Sequence, residues 1–66
     1  MIELRELLET ITSNECLTIH LPEGLSATGT AKKLLENDLV EDYFDSNVES
    51  IEFLAIIDVI LITVEE

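Results

Sequence analysis

Leu4, Leu7, Leu8 and Ile11 recur at i, i+3, i+4 and i+7, with Glu3, Glu6 and Glu9 between them. That spacing predicts an amphipathic helix over residues 2–12, and acidic residues near its start suit the helix dipole. The polar turn Thr12-Ser13-Asn14 stops it. Leu17, Ile19 and Leu21 then alternate with Cys16, Thr18 and His20, the two-residue period of a half-buried strand over 15–21. Pro22-Glu23-Gly24 reads as a turn, and residues 25–29 as a short second strand. Residues 30–45 return to helical spacing through Leu34, Leu35 and Leu39, with Tyr43 and Phe44 continuing in steps of four. Thr28 or Thr30 can cap this helix, Asn37-Asp38 can divide it, and Ser46-Asn47 ends it. Over 48–65, Ile51 and Phe53 alternate with Ser50 and Glu52, and Val59 to Val64 is nearly all β-branched or leucine, which favours strand. Asp58 interrupts that run and marks a turn near Ala55–Asp58. The turn lacks Gly and Asn, so a tight primed turn is not supported, and a longer loop or a single bent strand is expected in its place.

The pattern gives one α+β domain spanning 1–66, a small antiparallel sheet of three or four strands with two helices packed on it. The last strand is apolar on both sides: Ile60, Ile62 and Val64 face one way, Val59 and Leu61 the other. Such a strand is usually central or covered. A homodimer through this apolar C-terminal segment, or a partner protein, would cover its second face.

Charge narrows the functions. Fifteen Asp and Glu residues stand against three Lys and Arg, a net charge of −12. Phosphate contacts require Lys and Arg, so direct binding to nucleic acid is not expected, nor is attachment to an anionic membrane. A protein partner with a basic surface suits the charge. The chain carries a single cysteine, Cys16, with no partner for an intramolecular disulfide, which fits a reducing cytosol. No basic segment precedes an apolar one in the manner of a signal peptide. The apolar run Phe53–Val64 is shorter than the ~20 residues of a membrane-spanning helix. A cytoplasmic location is expected.

Candidate chemistry is sparse. Cys16 and His20 are the soft metal ligands, and zinc held through them is the cofactor alternative. On a strand they share a face but stand roughly 13 Å apart, too far for one ion or for a nucleophile and its base. Asp58 reads as a turn carboxylate. Asp38, Glu41, Asp42 and Asp45 lack the glycine and ligand order of a calcium loop. Gly24 and Gly29 have the gap of a phosphate-binding loop, but Thr30 stands where lysine is required. Tyr43 and Phe44 suit a core better than a stacking platform. The chain is expected to be non-enzymatic and to have no cofactor.

What remains is the acidic surface: Glu36, Asp38, Glu41, Asp42 and Asp45, with Glu49 and Glu52 after them, and Glu3, Glu6 and Glu9 as a second stripe. A compact protein with such a row offers carboxylates to lysines and arginines that otherwise hold phosphate. Solubility alone is the plainer reading of the same residues. The opening MIELRELLETI, the strand ECLTIHLP, the segment GTAKKLLEND and the apolar ending VESIEFLAIIDVILITVEE together resemble the small acidic accessory proteins of phages and mobile elements. Some of these resemble anti-CRISPR or anti-restriction inhibitors. That resemblance implies an inhibitor of a nucleic-acid-processing protein, a Cas-type nuclease for example, acting as a DNA mimic in the host cytoplasm. It transfers no particular residue. The alternative is a homodimeric assembly module of a phage or mobile element.

Overall fold

The structure is a computed structural model that describes residues 2–12 and 14–65. Ser13, in the expected Thr12–Asn14 turn, lies outside the described residues. The elements run α1 (Leu4–Thr10), β1 (Leu17–His20), a 3-10 turn (Pro22–Gly24), β2 (Ser26–Gly29), α2 (Ala31–Leu35), α3 (Asp38–Glu41), β3 (Val48–Leu54) and β4 (Val59–Val64). The arrangement is α+β, with four strands in the order β2-β1-β4-β3.

The sheet is mixed. β1 pairs antiparallel with β2, and β3 with β4, but β1 and β4 run parallel, with Leu17 opposite Ile60 and Ile19 opposite Ile62. Alternation along single strands reveals faces, not strand direction, so the expectation of a purely antiparallel sheet had no means of detecting this pair. The apolar β4 is interior, as its two-sided pattern implied.

One face of the sheet carries the core. Leu17, Ile19, Val48, Ile62 and Val64 from the strands pack with Leu4, Leu8, Ala31, Leu34 and Val40 from the helices. Residues directly opposite in a pair share a face. By register, Thr18, His20, Ser50, Glu52, Leu61 and Thr63 therefore line the other face, where the Thr18 and Thr28 hydroxyls meet at 3.3 Å.

The helices are shorter than their apolar stripes. Helix α1 has no side-chain N-cap. Its Leu4 N–H donates to the Ser46 carbonyl (2.9 Å) and its Arg5 N–H to the Phe44 carbonyl (3.2 Å), so tertiary partners satisfy donors that a cap usually would. The expected helix over 30–45 is two pieces. Thr30 Oγ1 accepts from the Lys33 N–H and caps α2. Asn37 leaves the helical conformation and its Oδ1 accepts from the Leu39 and Val40 N–H groups, starting α3. Tyr43 and Phe44 fall in the turns after α3, half-buried against the core.

Two turns use left-handed backbone without glycine at the key position. Glu23 has φ 65° before Gly24 at φ 76°, and Asp58 has φ 53° at the end of the Ala55–Asp58 turn. Asp is among the residues that tolerate this region best.

Ile62 is fully buried and Ile51, its partner on β3, is 53% exposed. Ile62→Ala is expected to cost about 2–5 kcal/mol. That is a large share of the ~3–10 kcal/mol that a domain of this size has available. Ile51→Ala is expected to cost under about 1 kcal/mol. Urea denaturation of the two variants checks the contrast.

Candidate interaction surfaces

The acidic residues fall into two groups. Glu36, Asp38, Glu41, Asp42 and Asp45 are all exposed along the stretch that holds the end of α2, helix α3 and the turns after it. Glu49 follows at a bulge: the register of β3 on β4 slips between Val48 and Ser50, leaving Glu49 as the additional residue. Glu52 is separate. It pairs with Leu61 and stands on the face away from the helices. The seven candidates therefore do not form one surface.

The fold makes a junction that periodicity did not indicate. Because the first N–H groups of α1 bond to Phe44 and Ser46, the start of the Glu3–Glu6 stripe sits beside the Asp42–Asp45 turn. Glu3 itself forms an isolated bridge with Asn47. Two acidic stretches nearly forty positions apart in sequence are thus brought side by side. No local pattern could announce it, since it depends on where α1 docks.

Among the described residues, the only ion pair is Arg5 with Glu9, at 3.4 Å with both side chains more than half exposed. None of the seven candidate carboxylates has a salt-bridged lysine or arginine there. Lys32 and Lys33 lie in the last turn of α2, where positive charge suits the dipole.

Cys16 and His20 are both exposed. Cys16 precedes β1 and His20 ends it, so extended backbone separates them. Among the described residues no three His, Cys, Asp or Glu side chains gather as a metal-binding group. His20 borders an open recess of 310 Å³ with Leu21, Gly24, Leu25 and Ser26, a lining with no second titratable group.

Exposed apolar surface lies elsewhere than expected. Val59 and Leu61 are half-buried. Apart from Leu25, the exposed large apolar residues among the described ones are Ile51, Phe53, Leu54, Ile56 and Ile57, with Ile56 100% exposed. Ile51 and Phe53 share the helical face with Ile62 and Ile60, but the helices stop short of β3 and leave them uncovered. At the tip, Phe53 to Ile57 surround an open apolar pocket of 410 Å³. The clue in sequence was Ile56-Ile57, which fits neither strand alternation nor turn chemistry.

Compared with known proteins, the chain matches no family model, no curated protein and no solved structure. No helix among the described residues is long and apolar enough to cross a membrane.

Since Cys16 and His20 are separated by extended backbone, equimolar zinc is expected to leave the melting temperature unchanged and to be lost on desalting. Calorimetry with elemental analysis of the desalted protein measures both, and stoichiometric zinc retained by the wild type and lost from His20→Ala would contradict it.

Proposed function

We propose that the protein is a non-enzymatic inhibitor that binds the basic surface of a nucleic-acid-processing protein and blocks its access to DNA. The observation that carries this reading is the run of exposed carboxylates from Glu36 to Asp45, without salt-bridged counter-charges among the described residues, extended by Glu49 and joined at one end by Glu3 and Glu6. A net charge of −12 on 7.4 kDa adds a long-range attraction to any lysine- and arginine-lined channel. The carboxylates occupy a partner's phosphate-binding residues, and the acidic stretch stands in for a short length of nucleic acid backbone. The resemblance to anti-CRISPR and anti-restriction proteins makes a Cas-type nuclease the first partner to test, in the host cytoplasm.

A second reading is an assembly module that works through apolar contact. The exposure of Ile51, Phe53, Ile56 and Ile57 favours it. The two readings differ in what salt does.

Attraction between exposed charges is screened over about 8 Å at physiological salt and about 3 Å at 1 M. A tagged protein is expected to retain a basic nucleic-acid-processing protein from host lysate at low salt and to release it in 0.5 M salt. Asp38→Asn, Glu41→Gln and Asp42→Asn combined are expected to weaken the purified complex at least tenfold, with an unchanged circular dichroism spectrum. Recovery of the protein with itself alone, indifferent to salt, would instead select the assembly reading.

A further inference from the structure

The sheet has two edges, and they differ. β2 is four residues long and leads through Thr30 into α2, a short edge of the kind that resists further pairing. β3 is seven residues long and, among the described strands, pairs with β4 alone.

Part of the β3 edge is occupied. The Asn47–Val48 peptide is trans, so its carbonyl and N–H point to opposite sides. The carbonyl accepts from the Glu65 N–H, which continues β4, and the N–H donates to the Ile2 carbonyl at 2.9 Å. Ile2 therefore lies on the outer side and covers the edge as far as Val48. Glu49 is the bulge, and the turn begins at Ala55. Ser50–Leu54 is left with its outer N–H and carbonyl groups unpaired by any described segment.

We propose that this stretch binds an extended segment of the partner protein as an added fifth strand, and that the segment sets apolar residues against Ile51 and Phe53 and a lysine or arginine against Glu52. Strand addition draws affinity from backbone hydrogen bonds and specificity from alternate side chains. The alternation here is explicit. Ile51 and Phe53 are 53% and 58% exposed on the face of Ile60 and Ile62, and Glu52 stands exposed on the opposite face. A cation opposite Glu52 makes a favourable cross-strand pair, and the whole chain attracts it. Ile51, Phe53, Leu54, Ile56 and Ile57 form a run of exposed apolar side chains along this edge and its turn. The 410 Å³ pocket at the tip receives an apolar side chain at one end of the incoming segment.

A second copy of the chain fits less well. Two-fold pairing of Ser50–Leu54 with itself centres on Glu52 and sets the two glutamates directly opposite each other. It also brings together two chains of net charge −12.

The basic character of the segment rests on the proposed function, and the two ideas fail separately. The probes are a capped peptide with a Val-Lys-Val core and its Val-Glu-Val counterpart, titrated into the full chain and read by amide shifts and amide exchange. The Lys peptide is expected to shift Ser50–Leu54 and slow exchange of the outward-facing amides among them, and to bind at least tenfold tighter than the Glu peptide. Glu52→Lys, an exposed change checked by circular dichroism, is expected to reverse that preference. The combined Asp38, Glu41 and Asp42 neutralisation is expected to leave it within about threefold. Absence of protection on β3 overturns strand addition. So does Lys-peptide binding that follows the α3 carboxylates and ignores Glu52→Lys, an outcome that leaves the acidic-surface reading intact. Protection of the outward-facing amides of Ser50–Leu54 without peptide, together with a dimer in sedimentation, overturns it in favour of a second copy. A Glu52-dependent preference in a chain whose partner complex is indifferent to α3 neutralisation supports strand addition and removes the acidic-surface reading.

Discussion

The parallel pairing of β1 with β4 holds the molecule together. It puts residues from opposite ends of the chain side by side, Leu17 with Ile60 and Ile19 with Ile62, and forms the floor on which α1 and α2 rest. Parallel neighbours cannot be joined by a tight turn. Between these two strands the chain forms β2, both later helices and β3. Loop closure over that length must precede the contacts that offset it. With one layer of helices over one face of the sheet, the buried apolar residues among those described number eleven, and no described element covers the other face.

That one-sided economy explains the distribution of surface. The uncovered face is held by Thr18, Thr28, Thr63 and Ser50 around a half-buried Leu61, a composition that water tolerates. The apolar excess collects instead at the periphery, on β3 and its turn, where the helices end. Glu49 at the bulge and Glu52 in mid-strand interrupt it. Such charges limit edge-to-edge association between copies while leaving an oppositely charged strand free to pair. The charge that keeps copies apart and the charge that would attract a basic partner are the same residues.

The elements were legible because each has its own short-range signature. The Leu4–Ile11 stripe, the Leu17–Leu21 alternation and the β-branched run Val59–Val64 each predicted the right element, and Asp58 marked the turn. The division at Asn37 was also visible, since its side chain is a natural cap. The direction of β4 relative to β1 was not legible, because a strand's side-chain pattern is the same read beside either kind of neighbour. The acidic positions were identified individually, but their grouping was not. Glu52 was separated from Glu36–Asp45 by the sheet itself, and the approach of Glu3 and Glu6 to Asp42–Asp45 depends on two backbone hydrogen bonds from α1 to Phe44 and Ser46. The exposure of Ile51 and Phe53 depends on how far the short helices reach, which no pattern within β3 encodes.

The Asn47–Val48 peptide has a consequence for how the domain can be connected to anything else. Ile2 lies on one side of it and Glu65 on the other, each at hydrogen-bond range of the same peptide unit. With strands about 4.8 Å apart, these two points are separated by roughly 10 Å. Polypeptide attached before Ile2 and after Glu65 would therefore depart from points close together on either side of β3, and a short linker would suffice to join them. Points of attachment this close are the geometry under which insertion of a domain into a loop of another protein is tolerated.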